Sequence, residues 1–215
     1  MRFDEEDLRQ HMVRDQLIAR GITDERVLDA FRKIERQCFV PPAVAPGSYS
    51  DHPLPIGEGQ TISQPYMAAL MTQLLELRGT EKVLEIGTGS GFQTAVLAEL
   101  SSKVFSMERI KGLSERAKSV LERLGYNNIY LKTGDGSAGW PQEAPFSRII
   151  ITAAVATLPA ALPDQLAEGG ILVAPVGGDF SQVLTAFRKK GPVLEAAAVC
   201  PCVFVPLISG TQEVS

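Results

Sequence analysis

A glycine-rich turn is the residue pattern of this 215-residue chain that bears most directly on chemistry. Residues 85–91 read Glu-Ile-Gly-Thr-Gly-Ser-Gly and overlap the end of an apolar run typical of a strand. Glycines at such a turn let the backbone approach a ligand without a Cβ clash. The dinucleotide fingerprint needs its third glycine three residues after the second, but that position is Phe92, and the glycine falls at 91. The spacing therefore argues against a pyrophosphate ligand.

Two acids at later strand ends favour a nucleoside ligand. Glu108 ends the second predicted strand, about 20 residues after the glycines, where a carboxylate can accept both ribose hydroxyls. Asp135, in a Gly-Asp-Gly turn, follows the third predicted strand and lies on the same carboxyl edge of the sheet. Each feature alone has a simpler interpretation as a tight turn, a solvated strand end or a turn-forming aspartate. Together they predict an S-adenosylmethionine site.

The elements that would position these residues alternate along the chain. Apolar runs predict seven strands, at 82–86, 104–107, 129–131, 148–152, 171–174, 183–187 and 197–207, the last two of them antiparallel. Helices are predicted at 65–77, 95–100, 113–124 and 158–166. Strands that alternate with helices imply parallel βαβ units. The sequence therefore predicts an α/β fold with a doubly wound, mostly parallel sheet.

Two further segments precede this alternation. The first 36 residues are predicted to form two helices broken at Gly21, the second capped by Thr23 or Asp24. Their predicted buried faces consist of Leu8, Met12, Leu17 and Ile18, then Val27, Leu28, Phe31 and Ile34. Residues 41–64 contain five prolines, which exclude a regular helix or a central strand, so we expect an ordered loop that packs on the core.

Composition narrows the class of protein and its partners. The formal charge of −4, the pI near 5.3 and the absence of a basic cluster disfavour nucleic-acid binding. No apolar run approaches the roughly 20 residues that span a bilayer, and the acidic start lacks a secretory stretch, so we expect a cytoplasmic, membrane-free protein. Three cysteines are expected to be free thiols, and the two histidines match no zinc spacing, so no metal site is expected.

Residues 49–66 contain the run Asp-His-Pro-Leu-Pro-Ile-Gly-Glu-Gly-Gln-Thr-Ile-Ser-Gln-Pro-Tyr. Further distinctive runs lie at residues 16–22, 39–41, 83–91, 134–136, 139–140 and 175–178. In these motifs nearly the whole chain, from about residue 12 to 207, resembles the protein-L-isoaspartate O-methyltransferases. The stretch 49–66 is the most specific, because it is absent from general methyltransferases. The resemblance implies a Rossmann-like, seven-stranded methyltransferase fold with an N-terminal helical extension. It divides the chain into residues 1–64, holding those helices and a substrate-recognition loop, and a catalytic domain of residues 65–215, packed as one unit.

The resemblance also implies an activity: a methyl group passes from S-adenosylmethionine to the α-carboxyl of an L-isoaspartyl residue, leaving S-adenosylhomocysteine. The ester would then close to a succinimide in a protein-repair cycle. By resemblance, Ser63 is the active-site serine. The implied cofactor-binding residues are Glu85, Gly87, Thr88, Gly89, Gly91, Glu108, Asp135 and Gly136. The implied substrate residues are Leu54, Ile56, Gln60, Thr61 and Ile62.

Several alternatives stay open at this point. Ser63 could instead cap the helix that starts at Pro65, and Leu54 and Ile56 could simply anchor their loop to the core. Phe92 stands where the family often has tyrosine, which removes a hydroxyl near the cofactor. Other functions are a small-molecule or nucleic-acid methyltransferase, a catalytically silent scaffold, or a nicotinamide dehydrogenase, which the glycine spacing opposes. A monomer is expected, since no long apolar seam is left unassigned.

Overall fold

The computed structural model describes residues 4–210, which begin with a helical segment. Helix α1 (Glu5–His11) runs into a π-helical turn (Met12–Leu17) and a 3₁₀ turn (Ile18–Arg20) that ends at Gly21. Met12 and Leu17 are buried as predicted, but the prediction for Ile18 was wrong, because its side chain is 44% exposed. The wider π turn shifts the helical register and rotates this residue outwards.

Helix α2 (Glu25–Lys33) buries the apolar face that the sequence predicted. Its N-cap is Asp24, whose carboxylate accepts a 3.0 Å hydrogen bond from the Arg26 N–H. Val27, Leu28 and Phe31 are buried, and α2 packs against a later helix that follows the glycine turn. This segment shares one hydrophobic cluster with the sheet. Treating residues 1–64 as a distinct part of the chain stays a prediction.

The proline-rich segment is more regular than predicted. Two 3₁₀ turns (Arg36–Phe39 and Ala45–Gly47) precede a hairpin of strands β1 (Leu54–Gly57) and β2 (Gln60–Ile62). The hairpin was not predicted, but neither strand is central: β1 tolerates its proline because the hairpin forms a separate two-stranded sheet, where an edge position needs no donor. Glu58 and Gly59 have φ of 55° and 67°, as a tight two-residue hairpin turn requires.

The main sheet has seven strands in the order β5-β4-β3-β6-β7-β8-β9. Their bounds are β3 (Lys82–Ile86), β4 (Lys103–Glu108), β5 (Ile129–Thr133), β6 (Phe146–Ile151), β7 (Leu166–Gly178), β8 (Ser181–Lys190) and β9 (Val193–Cys202). All pairs from β5 to β7 are parallel, and β7-β8 and β8-β9 are antiparallel. The predicted mostly parallel α/β sheet is confirmed.

Four helices accompany the sheet: α3 (Pro65–Leu74), α4 (Phe92–Leu100), α5 (Lys111–Arg123) and α6 (Ala161–Gln165). The helix predicted at 158–166 is shorter than expected, because Leu166 already enters the long strand β7. The last strand ends at Cys202 rather than at 207, since the chain there leaves the sheet edge and returns toward β6. None of the helices in the described part of the chain is both long and apolar enough to cross a membrane.

Strand order fixes where a ligand can bind. The chain builds outward from β3 to β5 and then crosses back to place β6 on the other side of β3. In an open parallel sheet, a crevice forms outside the carboxyl ends of the strands at the point where the strand order reverses. That point lies after Ile86, at the start of the glycine turn.

All three cysteines are unpaired and half-buried, as expected.

Candidate active site

A cavity lies at this switch point, at the carboxyl ends of β3, β4 and β6. Its lining includes the glycine turn, the end of β4, and β2 with Ser63. The residues lining it are Gln60, Thr61, Ile62, Ser63, Ala68, Ile86, Gly87, Thr88, Gly89, Ser90, Phe92, Gln93, Met107, Glu108, Arg109, Ile110, Gly136, Thr152, Ala153, Val205, Pro206, Leu207 and Ile208. It therefore joins segments that are far apart in the sequence.

The glycine turn is tied to the end of β4. The Gly87 and Thr88 N–H groups both donate to the Met107 carbonyl, at 2.8 and 3.2 Å. The Gly89 N–H donates to Glu108 Oε2 at 2.9 Å. These bonds hold the glycine turn against the end of β4, so the turn forms a cradle fixed by the protein's own hydrogen bonds.

Glu108 lines the cavity as a buried carboxylate. Its side chain accepts one backbone N–H on each oxygen, from Gly89 on Oε2 and from Ile110 on Oε1, both at 2.9 Å. Each carboxylate oxygen has a second lone pair, so both can still accept a hydroxyl. This arrangement suits the ribose role predicted for Glu108.

Glu85 lies beneath the cavity rather than in its wall. It is completely buried on β3, where Oε2 accepts hydrogen bonds from Thr94 (2.5 Å) and Ser106 (2.6 Å). Ser106 in turn shares a 2.6 Å hydrogen bond with the cavity-lining Thr88. Burial raises the pKa of Glu85 to about 8, so the residue is mostly protonated at neutral pH. Its predicted contact with the cofactor stays a prediction, and the structure offers only an indirect route through Thr88.

Gly136 and Asp135 are placed differently from one another. Gly136 lines the cavity, whereas Asp135 lies behind it and caps the short turn that follows. Its carboxylate accepts from the Ser137 N–H at 2.8 Å and from the Gly210 N–H at 2.7 Å. Burial opposes ionisation of this group, but the hydrogen bonds from Gly210 and Ser137 outweigh it and hold the pKa of Asp135 below its ordinary value. Asp135 thus ties the C-terminal segment to the sheet edge.

The segment that resembles the substrate loop divides into two parts. Gln60, Thr61, Ile62 and Ser63 border the cavity. Leu54 and Ile56 do not border it; both are buried, and Ile56 Cδ1 would lie 3.6 Å from a Cβ at Gly89. In this structure their role is to anchor the hairpin over the glycine turn. Gly91 likewise lies outside the cavity, packed on α5.

Ser63 is half-buried between β2 and α3. The N-cap of α3 is Gln64, without a side-chain capping bond, so capping does not account for the serine. Within residues 4–210 the Ser63 hydroxyl has no hydrogen-bond partner of its own, while its main-chain carbonyl accepts a 2.6 Å bond from Arg36. The hydroxyl is therefore available at the wall of the cavity.

Sequence reasoning missed several parts of the lining. Thr152 and Ala153 follow β6 and could have been found from the rule that ligands bind at the carboxyl ends of strands. The segment Val205–Ile208 carried no such signal. It reaches the cavity because Ala154 pairs with it, donating to the Val205 carbonyl at 2.8 Å and accepting from the Leu207 N–H at 2.7 Å.

Comparison with known proteins identifies the family. The sequence profile of the protein-L-isoaspartate(D-aspartate) O-methyltransferases matches residues 7–212. The chain belongs to this family. One relative, protein-L-isoaspartate O-methyltransferase 1 of Syntrophobacter fumaroxidans, is 58% identical over 184 residues, covering 86% of each chain. Another, from Geobacter metallireducens, is 51% identical over 211 residues, covering 95% of this chain and 97% of its own.

Solved structures of this family share the fold. A protein-L-isoaspartate O-methyltransferase superposes with a TM-score of 0.82 at 30% identity, over 92% of this chain and 65% of its own. A Plasmodium falciparum protein of the same description, in complex with S-adenosyl-L-homocysteine, gives a TM-score of 0.81 at 26% identity, over 96% of this chain and 99% of its own. The resemblance inferred from the sequence is confirmed, and with it the class of S-adenosylmethionine-dependent methyltransferase.

Proposed function

We propose that this isoaspartyl methyltransferase family member joins its two substrates in the one cavity, with Glu108 holding the methyl donor and Ser63 orienting the acceptor. The donor is S-adenosylmethionine and the acceptor is the α-carboxylate of an L-isoaspartyl residue in a damaged protein. The observation that carries this proposal is that the carboxylate of Glu108 and the hydroxyl-bearing Ser63 line the same cavity.

The cavity has the side chains that an adenosyl group requires. Glu108 supplies two oxygens for the ribose hydroxyls, and Met107 and Ile110 add apolar lining beside it for an adenine ring. Gly87 and Gly89 leave room for close approach of the rest of the ligand. When bound, the sulfonium of S-adenosylmethionine supplies an activated methyl group.

The acceptor needs orientation more than activation. A carboxylate with an ordinary pKa near 4 is already ionised at pH 7, so no general base is required. The carboxylate oxygen forms the bond to the methyl carbon while the sulfur–carbon bond breaks, and its electron pair stays on the neutral thioether. No protein acid is needed for such a leaving group. Orientation can contribute about 7–11 kcal/mol, and the Ser63 hydroxyl is suited to fix one carboxylate oxygen.

Backbone recognition would distinguish the damaged residue. Isoaspartate lengthens the main chain by one methylene, so a selective site should bind main-chain groups as well as the carboxylate. Strand β2 pairs with β1 on one side only, and Gln60 and Thr61 border the cavity. An extended peptide can therefore add to this short strand, as peptides do at other sheet edges.

Labelled methyl transfer to a matched peptide pair tests the proposal. We expect label on the L-isoaspartyl peptide and none on the L-aspartyl peptide. Ser63→Ala should lower kcat by about a hundredfold, because an orienting donor is lost, while the Kd for S-adenosylhomocysteine changes less than twofold. The control is Ser119→Ala, on the exposed face of α5. Unchanged turnover in Ser63→Ala would remove this serine from the mechanism, and labelling of neither peptide would redirect the search to another acceptor.

The proposal extends to the binding partners, the cellular location and the oligomeric state of the protein. The net charge of −4 supports a protein that acts on peptides rather than nucleic acids. A cytoplasmic location and a monomeric state are part of the same proposal. Light scattering after size-exclusion chromatography should give a mass near 23.2 kDa, and a mass of twice that value would contradict the monomer.

A further inference from the structure

Among the residues that the structure describes, Arg36 is the largest fully buried side chain. It lies in the 3₁₀ turn that follows α2. Its Nε donates to the Ser48 carbonyl at 2.8 Å, and its Nη2 donates to the Ser63 carbonyl at 2.6 Å. Within residues 4–210, Nη1 is buried without a hydrogen-bond partner. The guanidinium therefore bridges two main-chain carbonyls, and its Nη1 group remains an unpaired donor in this part of the chain.

Such burial is costly. A charged group removed from water without a carboxylate partner loses much of its favourable solvation. Burial accordingly lowers the pKa of Arg36 to about 9. A contact that merely braced a loop could be made with less loss by a neutral side chain. The positive charge of Arg36 instead lies between Ser63 and Phe92, the residue that follows the glycine turn.

Arg36 contacts two residues that line the cavity, Ser63 and Phe92. On one side it holds the carbonyl of Ser63, whose hydroxyl has no other constraint. On the other side its Cζ lies 4.8 Å from the ring centroid of Phe92, the first residue of α4 after the glycine turn. Phe92 lines the cavity and is packed edge-on by Phe31 and Phe39, at 5.5 and 5.6 Å between centroids. The Arg36 guanidinium thus fixes the position of Ser63 relative to Phe92 and the glycine turn.

We propose that Arg36 is a positioning residue for methyl transfer, which sets the direction of the Ser63 hydroxyl by holding the Ser63 carbonyl against the Phe92 ring. This inference rests on the proposed role of Ser63. Lysine cannot replace it, since an ammonium lacks the planar fork that reaches two carbonyls and stacks on a ring. Arg36 itself touches neither substrate, because its side chain is enclosed.

A second arginine provides a matched control. Arg148 also donates from Nε and Nη2 to two main-chain carbonyls, those of Leu75 and Glu76, at the opposite end of α3 from Ser63. Unlike Arg36, it also donates from Nη1, to the carbonyl of the preceding residue, Ser147. Lysine at either position removes the same kind of fork. Only the substitution at Arg36 should change the position of Ser63 in the cavity lining.

The experiment compares Arg36→Lys with Arg148→Lys, each assayed well below its own Tm. We expect Arg36→Lys to lower kcat on an isoaspartyl peptide about tenfold, since small misplacement of an orienting group is costly, with the Kd for S-adenosylhomocysteine within twofold of wild type. Arg148→Lys should keep kcat within twofold. Arg36→Met, which removes all donors, should lower kcat further if it folds, and Arg36→Lys decides the matter if it does not.

Combining variants separates the two proposals. If Arg36 acts through Ser63, then Arg36→Lys in a Ser63→Ala background should cause no further loss of kcat. A normal kcat in Arg36→Lys alongside an impaired Ser63→Ala would overturn this inference and leave the role of Ser63 standing. Full tenfold losses that multiply in the double variant would show that Arg36 acts elsewhere. A normal kcat in Ser63→Ala would overturn both.

Discussion

The two ends of strand β3 carry the same residue type in opposite circumstances. At the amino end, Glu81 Oε2 accepts three backbone N–H bonds, from residues 78, 79 and 80, at 2.9, 3.0 and 3.1 Å. At the carboxyl end, Glu85 accepts two hydroxyls on Oε2 and leaves Oε1 buried without a partner in the described chain. Glu81 is thus held by three backbone donors, whereas Glu85 keeps one buried oxygen unpaired among the described residues.

This difference separates stability from function within one strand. Polar groups that bind each other hold a turn in place but have nothing left to offer a ligand. The carboxyl end keeps hydrogen-bonding capacity at the cavity, in Glu108 and Ser63. Locally unsatisfied groups of this kind cost stability and tend to collect at functional sites. We therefore expect substitutions at the two ends of β3 to affect different measurements.

The largest contrast should come from two glycines with nearly the same backbone. Gly87 has φ of 100° and Gly79 has φ of 98°, so alanine is strained at both, by about 1–2 kcal/mol. A Cβ at Gly87 would also lie 2.4 Å from Thr152 Oγ1, which is held by the Ile86 and Gly87 carbonyls at 3.0 and 2.7 Å. A Cβ at Gly79 meets nothing within 4 Å. Gly87→Ala should weaken S-adenosylhomocysteine binding at least about a hundredfold by displacing the glycine turn.

Calorimetric titration of both variants measures this contrast. Gly79→Ala should lose stability and keep its affinity within twofold. Equal affinities for the two variants would show that the glycine turn adapts to the added methyl group, and the cradle would then not be rigid.

A smaller contrast concerns pH at the carboxyl end. The pKa of Glu85 is raised to about 8 in the folded state against 4.5 ordinarily, so its contribution to stability is complete below about pH 4.5 and is lost as pH rises through 8. The loss is at most about 1.4 kcal/mol per pH unit. Glu85→Gln carries no proton to lose. Urea unfolding between pH 5 and 9 should therefore show a shallower decline in this variant than in wild type; parallel curves would mean that Glu85 is ionised in the fold.

The smallest expected effect lies at the amino end and has the opposite sign. Burial opposes ionisation of Glu81, but backbone hydrogen bonds from Arg78 and Gly79 prevail and lower its pKa. Its contribution is therefore present above the ordinary pKa and is lost as pH falls through the folded value. Glu81→Gln should cost about 1 kcal/mol at pH 7 and less at pH 3, with methyl transfer unchanged. An activity loss in this variant would break the separation between the two ends.

The sequence predicted the sheet better than the walls of the cavity. Strands such as β3 are short apolar runs between turn residues, so local pattern and burial agree, and the glycines and Glu108 mark their own strand ends. The hairpin at 54–62 was missed because its prolines oppose strand propensity and only tertiary packing compensates. The role of Asp135 as a tie to Gly210 depends on where the chain returns after β9, which no local pattern encodes.

The pair Asp135–Gly136 has a consequence for the ageing of the enzyme itself. Glycine after aspartate leaves the main-chain nitrogen open to attack the side-chain carboxyl carbon, which is how an isoaspartyl lesion begins. That ring closure expels water from a protonated carboxyl group, and it is slow from a carboxylate. The hydrogen bonds from Gly210 and Ser137 hold Asp135 ionised and fix both of its oxygens. We therefore expect Asp135 to form isoaspartate more slowly than an unrestrained Asp-Gly pair, which peptide mapping of the aged protein would measure.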